Sequence, residues 1–274
     1  MQNSKIFFVG AGNMGGAIIR GLLNANYKAS SILFFEPSDT IAKNYEEQGL
    51  IRTKNFKEGY TLADVIFLCV KPQIFSKLPS VWKSEFSIPE TEPLPDLASK
   101  KIISIMAGVK RKSLTEALGN GEILRVMPNL PLTVGKGTVA LATDGVSEET
   151  LTVAEEIFKT IATTCRVQES AMDAVTGLSG SAPAYVFEFI EGLVRGGVQA
   201  GLSRDVALKL ALGTIEGSVA LVKETGESPA DLCAKVCSPA GTTIAGIKAL
   251  EKAAFRSAII SAIEAGTNRS KELG

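Results

Sequence analysis

The chain contains no histidine. That absence excludes a Ser–His–Asp relay, removes the usual general base at neutral pH and takes away the commonest metal ligand. Net charge is missing too: 29 Lys and Arg offset 29 Asp and Glu. A broad electrostatic footprint for nucleic acid or an anionic membrane is therefore not expected. No apolar run approaches the roughly 20 residues that span a bilayer, and MQNSKIFFVGAG carries no extended apolar signal region. Cysteine is sparse. Cys69, Cys165, Cys233 and Cys237 sit in apolar or helical contexts and form no disulfide framework. Cys233 and Cys237 would need further thiolates or imidazoles to hold a metal, so no metal site is expected. These features point to a reduced, cytoplasmic protein.

What remains is ordinary globular composition, 45% hydrophobic and 21% charged, in 274 residues, enough for one large domain or two of ordinary size. Short β-branched or aromatic runs appear at Lys5–Val9, Ile32–Phe35, Val65–Val70, Lys101–Met106 and Ile123–Met127. Helical patterns such as Met14–Ala25 and Thr40–Gln48 lie between the early ones, as βαβ units on a parallel sheet require. Ser84–Ser99, rich in Pro, Glu and Ser, reads as a surface loop. Near Thr163–Glu169 the pattern changes. Helical spacing takes over at Ala184–Gly201, Arg204–Glu224, Ala230–Val236, Thr243–Leu250 and Ala254–Glu272, with Ser203 as an N-cap and Gly226 as a C-terminal stop. The expected plan is an α/β domain over 1–166 and an all-α domain over 167–274. The helices are rich in Gly and Ala, as in GLVRGGVQAG at 192–201, which suits either tight internal packing or a subunit interface.

Gly10-Ala11-Gly12-Asn13-Met14-Gly15 is G-x-G-x-x-G, directly after KIFFV and directly before MGGAIIRGLL. Gly10 permits a tight turn, Gly12 lets the backbone approach a pyrophosphate and Gly15 lets helix pack on strand. The pyrophosphate sits on the free N–H groups of the helix start, the signature of a Rossmann-type dinucleotide site. Glu36, ending the next strand in FFEPS, fits the acid that grips the adenosine ribose, and by itself favours NAD over NADP. Ser38 and Lys43 remain available to a 2′-phosphate if Glu36 swings away. Val70-Lys71-Pro72 and Met106-Ala107-Gly108 end further strand runs, where ligands sit in open α/β sheets; Lys71 is either a lining residue or a solvated loop lysine.

With VKP, IMAGV, MPNLP, DAVTGLSGSAPAYVF and VCSPAGTTIAGIKALE in hand, the chain resembles the pyrroline-5-carboxylate reductase family essentially end to end. The resemblance implies a Rossmann domain followed by a helical dimerisation domain. It also implies intertwined homodimers that can assemble further, and a pocket where one subunit's helical domain meets its own or its partner's nucleotide domain. By the family motif, Ser238, Gly241, Thr242 and Thr243 hold the substrate carboxylate, and Thr243 is the catalytic residue whose hydroxyl reaches the ring nitrogen. Pro128-Asn129 and Glu169 match positions near the nicotinamide. The family's S-P-G-G-T-T has Ala240 here for its first glycine, S-G-S-G-P-A-Y has Ala182, M-P-N-T-P has Leu130, and a basic-then-acidic pair is Cys233-Ala234.

The implied reaction moves hydride from NADPH or NADH to the C=N carbon of L-1-pyrroline-5-carboxylate, giving L-proline. An imine nitrogen arrives protonated far more readily than a carbonyl oxygen, so no side chain need deliver a proton; placement in near-attack geometry does most of the work. Pro239 through Thr243 begin the helix TTIAGIKALE, whose N–H groups can hold a carboxylate without a counter-charge. Ser238 suits an N-cap or an extra hydroxyl donor. Ser179–Pro183 reads as a loop leading into a helix, and Arg125 as structural. Two rivals make different demands. An alcohol-oxidising dehydrogenase of the β-hydroxyacid type wants a lysine on the long helix, but Ala184–Gly201 offers only Glu188, Glu191 and Arg195. A dinucleotide-responsive sensor would lack a substrate pocket.

Overall fold

The computed structural model describes residues 4–89, 100–119 and 121–273. Among them, eight strands form one sheet: β1 (Ile6–Val9), β2 (Ile32–Phe35), β3 (Ile51–Arg52), β4 (Val65–Leu68), β5 (Lys101–Ser104), β6 (Glu122–Pro128), β7 (Gly137–Ala142) and β8 (Ala162–Val167). Their spatial order is β3-β2-β1-β4-β5-β6-β7-β8, parallel everywhere except between β6 and β7. The link from Pro128 to Gly137 holds only a 3₁₀ segment, Leu130–Val134, too short for the crossover that parallel pairing needs. Strand order reverses at β1, which lies between β2 and β4. That is the switch point at which an open α/β sheet leaves a crevice beyond its strand ends.

The helices of this unit are α1 (Asn13–Asn24), α2 (Asp39–Glu46), α3 (Phe56–Leu62), α4 (Pro72–Phe75), α5 (Leu78–Glu85), α6 (Arg111–Leu118), α7 (Glu148–Phe158) and α8 (Met172–Val175). Side chains alternate along the inner strands, so the sheet has two cores. Ile6 and Phe8 of β1 and Val65 and Phe67 of β4 pack with Ile18, Leu22 and Tyr45 of α1 and α2. Phe7, Val9, Ile66 and Leu68 face the other way, with Phe56, Trp82 and Leu114 of α3, α5 and α6. Phe56 stacks on Trp82 with ring centroids 4.0 Å apart. The Ser84–Ser99 loop begins two residues late, since Ser84 and Glu85 still belong to α5; its residues 90–99 lie outside the described residues.

The compact unit around the sheet runs through Ser181 and takes in Ala265–Gly274. The division expected at 166/167 falls inside it, for a physical reason. Met172 of α8 is buried with Met127, Ala140 and Ala142 of β6 and β7, and Ser270 donates to Asp173 at 2.7 Å. Ser179–Pro183, read as a loop leading into a helix, does lead into the helix that starts at Ala182 with Pro183 in its first turn. The lead-in is itself helical: Thr176–Gly180 form a π-type turn closed by Ser181 N–H to Thr176 O at 2.9 Å. Such wide turns are single-turn features that recur at functional sites.

The second unit, Ala182–Glu264, holds α9 (Ala182–Gln199), α10 (Arg204–Thr225), α11 (Pro229–Val236), α12 (Thr242–Lys252) and the first half of α13 (Phe255–Leu273). Gly226 ends α10 in the left-handed region (φ +67°), as its residue type predicts. Ser203 stands at the N-cap of α10, but its side chain makes no capping bond. Its only buried apolar residues are Val194, Ala207 and Ala211, where α9 meets α10. Phe187, Leu193, Leu210, Leu212, Val219 and Leu221 are exposed, Phe187 by 56%. Cβ atoms placed on Gly192, Gly196, Gly213 or Gly217 would meet nothing within 4 Å.

Candidate active site

The glycine loop is built as its sequence demands. Gly10 sits at φ +95°, and a Cβ there would come 3.1 Å from the Cys69 carbonyl oxygen. A Cβ on Gly15 would lie 2.4 Å from Gly10 O and 2.9 Å from Cys69 Cβ, so α1 packs on the sheet only with hydrogen at that position. Gly12 is the N-cap of α1, which begins at Asn13 and Met14 without any side-chain cap, and a Cβ on Gly12 would meet nothing within 4 Å. The first-turn N–H groups and the space before them are thus left to an anion, the arrangement a pyrophosphate needs.

Glu36, at the end of β2, turns its carboxylate toward this loop. One oxygen accepts from Ala11 N–H and the other from Ser38 N–H, each at 3.0 Å. Ser38 N-caps α2, accepting from Ile41 N–H at 3.5 Å. Val70-Lys71-Pro72 and Ala107-Gly108 follow β4 and β5, and Pro128-Asn129 close β6. Because β1, β2, β4, β5 and β6 are mutually parallel, the sheet gathers all these expected cofactor residues at its carboxyl edge. Lys71 is an exposed N-cap of α4. Gly108 takes φ +76°.

Two expected nicotinamide neighbours have bonds of their own within the protein. Asn129 is buried; its amide donates to Ser179 O at 3.3 Å and accepts from Thr138 N–H at 2.8 Å, tying the end of β6 to β7 and to the π-type turn. Glu169 accepts at one oxygen from Arg125 Nη1 and from Arg111 N–H, each at 2.7 Å. Arg125 is buried, so this pair braces the turn after β5, and Arg125 is structural as read.

Sequence reasoning passed over a groove of about 510 Å³ beside the glycine loop, lined in part by Arg20, Asn44, Tyr45 and Gln48. Tyr45 explains why position 16 is also glycine: a Cβ there would lie 2.3 Å from the phenol oxygen, which accepts from Arg20 at 3.2 Å. A second Gly directly after G-x-G-x-x-G was the available signal.

In the helical unit, α12 starts at Thr242 with Gly241 as N-cap, and no side chain caps it. Ser238, a candidate for that cap, stands three residues earlier; Gly241 N–H donates to Ser238 O at 3.0 Å, closing a tight turn. The backbone turn sets the helix start, which leaves the Ser238 hydroxyl free for a ligand. A Cβ on Gly241 would sit 2.2 Å from Ser238 Oγ and 3.1 Å from Ser238 O, so a side chain there would push the Ser238 hydroxyl aside. The loop itself holds three hydroxyls and no ionic group. Lys235, the nearest preceding cation, is paired with Glu227. On α9, hydrogen bonds from Arg204 and Arg195 pull the Glu191 pKa down to about 2, so this carboxyl cannot act as an acid near neutrality.

Ala240 adopts φ +58°, a left-handed conformation that costs an L-residue about 1–2 kcal/mol and glycine nothing. Ala240→Gly should therefore raise stability by roughly 0.5–1 kcal/mol after the extra freedom of the unfolded glycine is subtracted. Thermal melting checks it; an unchanged or lowered midpoint would contradict the strain.

Comparisons with known proteins bear on this arrangement. The family model described as pyrroline-5-carboxylate reductase dimerisation matches residues 169–273, and one described as NADP oxidoreductase, coenzyme F420-dependent, matches residues 5–108. The pyrroline-5-carboxylate reductase of Synechocystis sp. is 41% identical, covering 98% of this chain and 98% of its own. That of Methanosarcina acetivorans is 39% identical over 100% and 99%. The crystal structure of Plasmodium falciparum pyrroline carboxylate reductase with NADP bound superposes with a TM-score of 0.87 at 34% identity, covering 100% of this chain and 99% of that one.

Proposed function

The chain belongs to the pyrroline-5-carboxylate reductase family, and from that premise we propose how its own residues reduce L-1-pyrroline-5-carboxylate to L-proline. It is an NAD(P)H-dependent oxidoreductase acting on an imine. The observation that carries the mechanism is the start of α12: an uncapped helix N-terminus beside three hydroxyls, with no ionisable side chain in the loop.

The N–H groups at Thr242 and Thr243 hold the substrate carboxylate, aided by the Ser238 hydroxyl, while Gly241, whose own N–H closes the turn on Ser238 O, lets the carboxylate lie close against the backbone. Thr243 Oγ meets the ring nitrogen, donating to a neutral imine or accepting from a protonated one. The reduced nicotinamide, when bound, supplies hydride to the C=N carbon. Gly10, Ala11, Gly12, Asn13, Met14 and Gly15 cradle the pyrophosphate, Glu36 and Ser38 face the adenosine ribose, and Val70, Lys71, Pro72, Ala107, Gly108, Pro128 and Asn129 border the nicotinamide half. Glu169 acts there through the turn it braces. Glu36, a carboxylate beside the ribose, supports NADH as the preferred donor. Residues 1–166 serve the dinucleotide and 167–274 serve pairing and substrate.

The occupant of the exposed apolar helical face is a second copy of the chain, in a homodimer that can associate further. The open glycine positions on α9 and α10 let helices of a partner approach closely, and the family match over 169–273 is to a dimerisation domain. Among the described residues no helix is long and apolar enough to cross a membrane. The free thiols of Cys165 and Cys233, both exposed, suit the reducing cytoplasm. The test joins an assay to a mass measurement. Loss of reduced-nicotinamide absorbance should require pyrroline-5-carboxylate, and light scattering should give at least twice the 28.9 kDa chain mass. Cofactor oxidation without the imine, or a monomer, would refute the corresponding half.

A further inference from the structure

Beyond Glu36 the carboxyl end of β2 carries a second charged group. Arg52 ends the edge strand β3, and its Nη2 donates both to the backbone oxygen of Glu36 at 3.1 Å and to Asp39 Oδ1 at 2.8 Å. The strand is fixed there by Thr53, whose N–H and hydroxyl both donate to Phe34 O, at 2.9 and 3.2 Å. The guanidinium is therefore seated against the same residue whose carboxylate faces the ribose.

Its carboxylate partner is poorly placed to keep it. The Asp39 side chain is 91% exposed, and an ion pair with so wet a partner contributes little. A phosphate dianion offers a guanidinium more charge and a bidentate match. Glu36 would ordinarily repel a 2′-phosphate, but its two oxygens are already engaged by Ala11 and Ser38 N–H groups, which offset part of its charge. The Ser38 hydroxyl, accepting from Ile41, keeps its own proton free to donate.

We propose that Arg52 is a specificity-determining residue that reads the 2′-phosphate of NADPH, exchanging Asp39 for the phosphate, so that the chain accepts NADPH as well as NADH. The inference rests on the reading that Glu36 faces the adenosine ribose. Asp39 then acts as a gate on phosphorylated cofactor: it neutralises Arg52 when NADH is bound and competes with the phosphate when NADPH arrives.

Calorimetric titration of the full chain with adenosine 2′,5′-bisphosphate and with 5′-AMP tests this without turnover. Arg52→Ala should lower the ratio of bisphosphate to AMP affinity by about tenfold or more, as loss of a charge-assisted contact predicts. Asp39→Asn should raise the same ratio several-fold and steepen its salt dependence, because the phosphate then meets an uncompensated guanidinium. If Arg52→Ala weakens both nucleotides equally, Arg52 merely supports the Glu36 backbone and the proposal fails; an unchanged ratio in both variants also overturns it. Should Arg52→Ala not fold, Asp39→Asn alters only an exposed side chain and decides the matter alone. Glu36→Ala separates the underlying reading: it should weaken 5′-AMP, and unaltered AMP affinity would remove the ribose contact itself.

Discussion

Replacing Thr243 with alanine is expected to lower kcat/KM for pyrroline-5-carboxylate by roughly 10- to 100-fold, the worth of one hydroxyl bonded to a group gaining or losing charge. Cofactor affinity should stay within a few-fold, since the glycine loop and Thr243 lie in separate compact units and share no residues. Thr243→Ser keeps the hydroxyl and should recover much of the loss. The substitution leaves α12 intact, because Thr243 is not its cap and the backbone turn at Ser238–Gly241 sets the helix start. Steady-state kinetics with both substrates varied give the answer. Wild-type turnover in Thr243→Ala would assign the nitrogen contact to another hydroxyl, Ser238 or Thr242.

A larger loss is expected from Gly15→Ala. The new methyl would meet Gly10 O at 2.4 Å and Cys69 Cβ at 2.9 Å. Neither neighbour can turn aside: one is backbone in the loop itself, the other is the Cβ of half-buried Cys69, fixed to the backbone. Overpacking of this kind costs about 3 kcal/mol at the upper end of measured cases. In a unit of this size that corresponds to a melting point lower by roughly 6–12 °C. Relief by shifting α1 outward would move the N–H groups of Asn13 and Met14 off the pyrophosphate, so nucleotide affinity should fall by at least about tenfold. Gly12→Ala makes the matched control, because its methyl would enter open space. It should spare the melting point while still obstructing the cofactor. Equal melting points for Gly15→Ala and wild type would mean that the close packing of helix on strand is softer than the geometry implies.

Much of this was legible in the residues. The runs Ile32–Phe35 and Ile123–Met127 became strands within a residue or so, because both faces of those strands are buried and continuous apolar runs leave little ambiguity. The helices after Ala182 were equally plain, their spacing bounded by caps and glycines. Three strands were not anticipated. β3 is two residues long, below any period. β7 reads GTVALA, whose small residues suit a helix as well as a strand. β8 reads ATTCRV at the sheet edge, with its outer side chains in water, so its polarity resembled a linker. The same polarity is what suggests a break near this stretch, whereas the compact sheet unit continues to Ser181.

At the site, glycines were the most legible residues, since each reports a backbone demand: Gly10 a left-handed turn, Gly15 and Gly241 a close approach. Charged partners were the least. Nothing in the spacing of Glu36, Asp39 and Arg52 says that two neighbouring strand ends and a helix start bring them together, and Glu169 gave no sign that a buried arginine would claim it. Long-range ion pairs depend on sheet order, which local pattern does not encode.

The slight interior of the helical unit bears on how substitutions there are felt. With only Val194, Ala207 and Ala211 covered by its own chain, most of its apolar side chains are left for the two-fold mate of the proposed homodimer to cover. In such an isologous contact each altered residue appears once from either side, so a single codon change inserts two flaws into one seam. In that homodimer, drift on α9 and α10 would be penalised in squared fashion, whereas the sheet unit, with its layers complete within one polypeptide, answers for each change only once.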